Sequence, residues 1–162
     1  MSVSEKSTFA GRELTLTWIE TGVVPQNLKI SQVSGYCLDN NNQVLIIKNE
    51  HGWGLPGGHP EEGESVEQSL RREILEEADA TVGSFKLFGY IEVNDPQNES
   101  IEGRDYVQLR FICRLAEISD FSAGFETSER AFVSIADLPN YVTWMAASAT
   151  GRAQYESFLK VI

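Results

Sequence analysis

The sequence predicts an α/β fold in which a mixed β-sheet has helices packed on both of its faces. Three observations lead to this prediction. Several segments alternate apolar and polar residues with a period of two, as β-strands do. Residues 66–78 instead repeat apolar side chains every four positions, which indicates an amphipathic helix. A second helix is predicted near the C-terminus, so helices are available to cover the sheet.

The predicted strands lie before and after the amphipathic helix. They are residues 14–19, 28–38, 43–48, 85–94, 106–116 and 131–135. The second and third strands are joined by residues 39–42, whose short polar side chains favour a turn. Residues 44–47 are all apolar and are therefore expected to be fully buried.

The two ends of the chain differ in character. Residues 1 to about 12 are polar and aperiodic, so we expect a flexible N-terminus followed by a single domain over residues 13–162. A chain of this length is expected to bury a sizeable core. Residues 143–160 are predicted to form a C-terminal helix whose middle is weakened by Gly151.

The composition excludes several classes of protein. A net charge of −11 opposes binding to a nucleic-acid polymer, which depends on clustered Lys and Arg side chains. No segment approaches the roughly 18 consecutive apolar residues of a membrane span, and no apolar signal segment is seen at the N-terminus. A cytoplasmic protein is therefore expected. Cys37 and Cys113 lack a metal-binding spacing and are predicted to be buried free thiols.

The amphipathic helix carries a group of neighbouring carboxylates. Ser65 and Gln68 match a capping box, so the helix is predicted to begin directly after Ser65. Near its other end, Glu73, Glu76 and Glu77 follow one another at intervals of three and one residues. Side chains three and four positions apart are neighbours on a helix surface. The three carboxylates are therefore predicted to share one face.

Folding alone does not explain this placement. Each like-charged neighbouring pair destabilises a helix by roughly 0.2–0.5 kcal/mol, and anions near a helix C-terminus are disfavoured by roughly 0.3–1 kcal/mol each. A hard divalent cation, Mg²⁺ or Mn²⁺, offsets this repulsion, because carboxylate oxygens on one rigid face are suitable ligands. The alternative is a solvated acidic face that Arg71 and Arg72 partly neutralise.

A longer pattern surrounds the three carboxylates. Its fixed positions are Gly58, Glu64, Arg72, Glu73, Ile74, Glu76, Glu77, Asp79 and Ala80. This stretch, which covers about a seventh of the chain, closely resembles the signature of the Nudix hydrolases. One position departs from that signature, because the family has Gly where this chain has Asp79. That residue ends the helix, and Asp tolerates the left-handed conformation expected there.

The resemblance implies a Nudix fold and assigns roles within it. Glu73, Glu76 and Glu77, with the carbonyl oxygen of Gly57, are implied to bind one or more Mg²⁺ or Mn²⁺ ions. The supporting residues implied by the signature are Gly58, Glu64 and Arg72. Glu64 and Arg72 are expected to orient the loop and the metal-binding carboxylates through charge-assisted hydrogen bonds.

The general base is implied less specifically. It is either a carboxylate of the helix, with Glu73 preferred, or an acidic residue before the strand 131–135. Of the two candidates there, Glu129 is preferred over Glu126, and the alternative is that both are solvated loop charges. Arg110 on the strand 106–116 is a candidate for binding a substrate phosphate, unless that face of the strand is simply solvated.

The resemblance also implies a reaction. The expected activity is metal-dependent hydrolysis of a phosphoanhydride in a small-molecule substrate, a nucleoside diphosphate linked to another group. Nucleotide sugars, ADP-ribose, dinucleoside polyphosphates and nucleoside triphosphates all remain open as substrates. The alternative is a Nudix domain that senses a nucleotide or sugar phosphate without cleaving it. Family members are frequently dimers, so a homodimer is possible.

Overall fold

The computed structural model describes residues 1–124 and 126–162. Within these residues the chain forms nine strands in one sheet. The strands are β1 Ser2–Phe9, β2 Arg12–Glu20, β3 Lys29–Leu38, β4 Gln43–Asn49, β5 Gly52–Gly54, β6 Gly57–Gly58, β7 Ala80–Asn94, β8 Asp105–Ile118 and β9 Glu129–Ser134. The helices are α1 Val66–Ala78, α2 Leu138–Tyr141, α3 Trp144–Ala147 and α4 Ala149–Val161, with a 3-10 helix, Ile101–Gly103, between β7 and β8.

The sheet is mixed, as the sequence predicted. Its strand order is β1-β2-β7-β8-β3-β4-β5, with β6 paired to β3 and β9 paired to β4. β3 and β8 run parallel, whereas the other paired strands run antiparallel. The short strand β6 lies beside β3 and leads towards α1. The loop before α1 is thereby held against the centre of the sheet.

Helices cover both faces of the sheet. Successive residues of a strand point to opposite faces, and Tyr36 and Cys37 of β3 accordingly belong to two different buried clusters. The Cys37 cluster contains Ile74 of α1, and the Tyr36 cluster contains Phe158 of α4. The helices therefore lie on opposite sides of the sheet, and the predicted sandwich is confirmed.

Helix α1 begins and ends where the sequence predicted. Both hydrogen bonds of the capping box are present, from Gln68 N–H to Ser65 Oγ at 3.1 Å and from Ser65 N–H to Gln68 Oε1 at 2.8 Å. Its apolar stripe is buried at Leu70 and Ile74. Asp79 ends the helix in the left-handed conformation, with φ 51° and ψ 42°. These local signals were sufficient because each acts within a few residues of the helix.

The N-terminal segment differs from the expectation of a flexible end. Ser2–Phe9 forms β1, which pairs with β2 in antiparallel register from Ser2 opposite Ile19 to Phe9 opposite Arg12. Most of its side chains are exposed or only partly buried. Backbone hydrogen bonds rather than buried apolar side chains hold this strand in place, so no hydrophobic alternation marks it in the sequence. The predicted single domain over residues 13–162 stays a prediction.

The two cysteines are buried free thiols, as expected. Cys37 of β3 and Cys113 of β8 are register partners on neighbouring strands. In the described part of the chain, no helix has the length and apolar character needed to cross a bilayer.

The C-terminal helix is interrupted earlier than predicted. It is divided into α3 and α4 at Ser148, whose Oγ accepts a hydrogen bond from Gly151 N–H at 2.9 Å and caps α4. Gly151 lies in the first turn of α4 rather than in the middle of a single helix. A Cβ atom at Gly151 would lie 2.0 Å from the Trp144 carbonyl oxygen. The glycine is therefore required by the close approach of the two helices.

We predict that Gly151→Ala lowers the free energy of unfolding by roughly 1–3 kcal/mol, because its Cβ collides with backbone. Helix propensity alone favours Ala by about 1 kcal/mol, so a loss of stability identifies the steric contact. Urea unfolding of both proteins measures the change. Gly54→Ala is the matched control, because a Cβ there meets no described atom within 4 Å. An unchanged or higher stability of Gly151→Ala contradicts the prediction.

Candidate active site

A cleft of about 630 Å³ opens beside the C-terminal half of α1. Its walls come from α1, from the loop that precedes α1, from the ends of β3 and β4, and from the loop before β9. The lining residues are Gln32, Asn49, Gly57, Gly58, His59, Pro60, Glu61, Arg72, Glu73, Glu76, Glu77 and Glu126. The cleft therefore brings the three predicted carboxylates of α1 together with Glu61 from the loop before α1 and with Glu126 from a distant loop.

Arg72 contacts two of the α1 carboxylates. Its Nη1 donates to Glu73 Oε1 at 2.9 Å and to Glu76 Oε2 at 3.3 Å. These side chains keep limited solvent contact, with exposed fractions of 14% for Glu73 and 34% for Glu76. In this arrangement one guanidinium partly neutralises two neighbouring anions.

The same arginine fastens the preceding loop to the helix. Arg72 Nε donates to Glu64 Oε2 at 2.7 Å, and Nη2 donates to Glu64 Oε1 at 2.9 Å, which is a bidentate ion pair. Ser69 Oγ also donates to Glu64 Oε1 at 2.9 Å. The Arg72 hydrogen bonds and the Glu61 backbone N–H lower the pKa of Glu64 to about 2. The structure therefore places Glu64 and Arg72 where they can orient the loop and the carboxylates.

Glu77 has a different environment from its two neighbours. Its Oε1 accepts a hydrogen bond from the Gly57 backbone N–H at 2.8 Å. Burial raises the pKa of Glu77 to about 7, the Gly57 hydrogen bond opposes the shift, and the carboxylates of Glu73, Glu126 and Glu76 add to it. The negative charge at this end of the cleft is thus incompletely compensated by the protein.

Two glycines allow the loop to approach the helix and the sheet. A Cβ atom at Gly58 would lie 2.5 Å from the Glu73 carboxylate, and one at Gly57 would lie 2.2 Å from the Val33 carbonyl oxygen. Any larger residue at either position would displace the carboxylate or the loop. The supporting role of Gly58 stays a prediction with which this close packing agrees. A metal-binding role for the Gly57 carbonyl stays a prediction.

The chemistry of the cleft fits a hard divalent cation. Five glutamates line one cleft, namely Glu61, Glu73, Glu76, Glu77 and Glu126, and such cations prefer oxygen ligands. In the described residues, however, no group of three or more His, Cys, Asp or Glu side chains is close enough together to hold an ion. The reason is visible at Arg72, which draws Glu73 and Glu76 towards itself. The carboxylate oxygens are therefore suitable ligands for a divalent cation. Two of the carboxylates, those of Glu73 and Glu76, are however oriented towards Arg72 and not towards a common point.

The two acidic candidates before β9 occupy different places. Glu129, the preferred one, is the first residue of β9, and its carboxylate lies 3.7 Å from Lys48 Nζ with 55% of the side chain exposed. It is absent from the described lining of the cleft. Glu126 lies in the cleft wall instead. Glu126 thus lines the cleft, whereas strand pairing carries Glu129 to the Lys48 side of β4. A catalytic role for either residue stays a prediction.

The loop that carries Glu126 is fastened to the end of α1. Thr127 Oγ1 donates to the Glu77 carbonyl oxygen at 3.0 Å, and Arg130 Nη1 donates to the Ala78 carbonyl oxygen at 2.8 Å. Asp79 Oδ2 accepts from Ser122 N–H at 2.8 Å. The side chain that replaces the signature glycine therefore provides an additional attachment for this loop.

Sequence reasoning missed Gln32 and misjudged the surroundings of Arg110. Gln32 of β3 lines the cleft, but a register irregularity between Ile30 and Gln32 interrupts the alternation that would place its side chain. Arg110 is only 7% exposed, so its side chain is not on a solvated surface. It lines a neighbouring cavity rather than the carboxylate cleft, and Gln32 lines both.

Comparison with known proteins assigns the fold and the family. No curated protein sequence matches the chain. Its structure is similar to that of the Bacillus subtilis pyrophosphohydrolase BsRppH, with TM-score 0.68, 18% identity, and coverage of 90% of this chain and 91% of that chain. It is also similar to a Nudix hydrolase from Nitrosomonas europaea, with TM-score 0.63, 20% identity, and coverage of 82% and 89%.

A third similar structure is the Nudix domain of Shewanella oneidensis NrtR in complex with ADP ribose, with TM-score 0.61, 15% identity, and coverage of 83% and 88%. At these identities the likeness shows the fold alone. The family is shown by a model described as the NUDIX domain, which matches residues 28–152. This match spans well over half of the chain, and the chain belongs to the Nudix family.

Proposed function

We propose that this protein is a pyrophosphohydrolase that requires Mg²⁺ or Mn²⁺ and cleaves a phosphoanhydride in a nucleoside diphosphate linked to another group. The observation that carries the proposal is the convergence of Glu73, Glu76, Glu77 and Glu126 on one cleft. Burial, with a further contribution from the neighbouring carboxylates, raises the pKa of Glu77, and a divalent cation at the cleft would stabilise its charged form.

The residues that would hold the cation are Glu73, Glu76 and Glu77, with the carbonyl oxygen of Gly57. When bound, a divalent cation supplies charge neutralisation at the phosphoryl oxygens and a more acidic water. Arg72 and the Gly57 N–H orient the carboxylates before substrate arrives. Glu73 and Glu76 would turn from Arg72 towards the cation when it binds, because no described group of carboxylates is close enough together to hold an ion.

Proton removal from the attacking water is assigned to a carboxylate of the protein. Glu73 is the candidate from α1, and Glu129 is the candidate proposed from the sequence. Glu126 joins them on structural grounds, because it is the acidic residue before β9 that lines the cleft. The retention of every signature carboxylate favours hydrolysis over a domain that only senses a nucleotide. A cytoplasmic location and a homodimer stay predictions.

We predict that Glu77→Gln reduces kcat at least roughly 100-fold, because the cleft loses a predicted metal ligand. The assay uses the purified protein with Mg²⁺ and a panel comprising a nucleotide sugar, ADP-ribose, a dinucleoside polyphosphate and a nucleoside triphosphate. The control is Glu67→Gln, which removes a carboxylate that pairs with Arg71 on the first turn of the same helix. A folded Glu77→Gln variant that turns over at the parental rate overturns the assignment.

We also predict that Mg²⁺ raises the Tm of the protein and that excess chelator abolishes turnover. A ligand that binds only the folded state stabilises it by about 2.7 kcal/mol at 100 times its Kd. Thermal unfolding with and without Mg²⁺ measures this effect. Glu67→Gln should retain the increase, and Glu77→Gln should lose most of it. Turnover that persists undiminished in chelator contradicts a metal-dependent mechanism.

A further inference from the structure

Arg110 is a buried cation whose described side-chain partners are all neutral. Its Nε donates to Gln154 Oε1 at 3.0 Å. Its Nη1 donates to Gln32 Oε1 at 3.0 Å and to the Leu109 carbonyl oxygen at 3.3 Å. Its Nη2 donates to Gln108 Oε1 at 3.1 Å. We refer to Arg110, Gln32, Gln108 and Gln154 as the Arg110 cluster.

Among the described residues, no carboxylate forms an ion pair with Arg110. Burial lowers the pKa of its guanidinium, as expected for a charge removed from water without a counterion. A buried unpaired charge is strongly unfavourable, and hydrogen bonds to neutral amides offset it only in part. The folded protein therefore retains a positive charge that an anion would stabilise.

The side-chain partners of Arg110 are three glutamines where glutamates could also have accepted its hydrogen bonds. A glutamate at the same positions would accept the same hydrogen bonds and would also neutralise the guanidinium. The chain contains 24 acidic residues, yet it places three amides around its buried arginine. Amide oxygens hold the guanidinium in a fixed orientation without cancelling its charge. This arrangement suits a site that is completed by a ligand.

The same contacts determine which atoms face away from the arginine. A guanidinium only donates hydrogen bonds, so the atom that each glutamine presents to it must be the oxygen. The amide nitrogens of Gln32, Gln108 and Gln154 are consequently free of Arg110, and each carries two N–H donors. The cluster therefore offers donors and a positive charge, which complements groups that accept hydrogen bonds.

Two cavities meet at this cluster. One cavity, of about 420 Å³, lies between the sheet and α3–α4. The other, of about 290 Å³, lies between the sheet and the loop before α1. Arg110, Gln108 and Trp144 line both cavities, and no described acidic residue lines either. Gln32 lines the smaller cavity and also the carboxylate cleft. The carboxylate cleft and the smaller Arg110 cavity therefore share one lining residue, Gln32.

We propose that the Arg110 cluster is an anion subsite, which binds a carboxylate or a phosphate monoester on the far moiety of the substrate. The preferred substrate is then a nucleoside diphosphate whose second moiety carries its own negative charge. This inference rests on the proposed function for the position of the cleaved bond. The anion subsite itself does not depend on hydrolysis.

Binding without turnover tests the subsite directly. Calorimetric titration in excess chelator compares ribose 5-phosphate with ribose, and glucuronate with glucose. We expect at least one anion to bind roughly 10-fold or more tightly than its neutral partner, which is the contribution of a hydrogen bond to a charged group. The two pairs distinguish a phosphate subsite from a carboxylate subsite. Equal binding of anionic and neutral sugars in both pairs overturns the proposal.

The Gln154→Glu variant tests whether the Arg110 cluster binds a ligand or only stabilises the fold. The substitution keeps the shape of the side chain and supplies Arg110 with an internal counterion, so we expect an equal or higher Tm and a loss of anion affinity of roughly 10-fold or more. Gln97→Glu adds the same charge at an exposed position and should leave anion affinity unchanged. Unchanged affinity in a folded Gln154→Glu variant contradicts the subsite. The Arg110→Lys variant retains the positive charge but lacks the planar guanidinium with its several N–H donors. It should therefore keep only part of the affinity for the anion.

A turnover experiment separates this inference from the proposed function. With Mg²⁺, kcat/KM is compared for UDP-glucuronate and UDP-glucose, which differ by one carboxylate. A preference for UDP-glucuronate that Gln154→Glu removes supports a carboxylate subsite. Equal turnover of both sugars, together with equal binding in both titrations, overturns the subsite and leaves the hydrolase assignment intact. If neither compound nor any member of the substrate panel is hydrolysed, the hydrolase assignment fails and the titrations in chelator still decide the subsite.

Discussion

The candidate site depends on one guanidinium, that of Arg72. Its two bonds to Glu64 hold the loop before α1 in place, and its third nitrogen reaches the carboxylates of Glu73 and Glu76. A planar fork with several donors can make all of these contacts at once, which a lysine cannot. The spacing of the signature follows from this geometry, because a loop residue and two helix residues must all lie within reach of one side chain.

The carboxylates of the cleft differ in how much of their negative charge is compensated by neighbouring groups. Arg72 partly neutralises Glu73 and Glu76, whereas Glu77 receives only a backbone hydrogen bond from Gly57. Glu77 is also the residue whose carbonyl oxygen binds the loop that carries Glu126. The end of α1 has no basic residue in its last turn, so the side chains of Thr127 and Arg130 satisfy its carbonyl groups instead. Folding of the distant loop and assembly of the cleft are thereby linked.

Opposite charges lie in neighbouring cavities without neutralising one another. The carboxylate cleft is acidic, the Arg110 cavities contain a buried cation, and the neutral Gln32 side chain stands between them. Direct contact between Arg110 and a cleft carboxylate would form an ion pair and remove the charge from both cavities. Separation by an amide preserves both electrostatic environments. A molecule with a metal-binding diphosphate at one end and an acceptor-rich group at the other complements this arrangement.

The sequence by itself determined the features that act over short distances. The capping box, the left-handed Asp79, the carboxylate stripe and the alternating strands each depend on residues within one or two turns or on one strand, so their spacing was sufficient. Only the tertiary structure placed β1 on β2, brought Glu126 rather than Glu129 into the cleft, broke the last helix at Ser148 and buried Arg110. Each of those outcomes depends on contacts between segments far apart in the chain, and spacing along the sequence does not encode which distant segment will supply the partner.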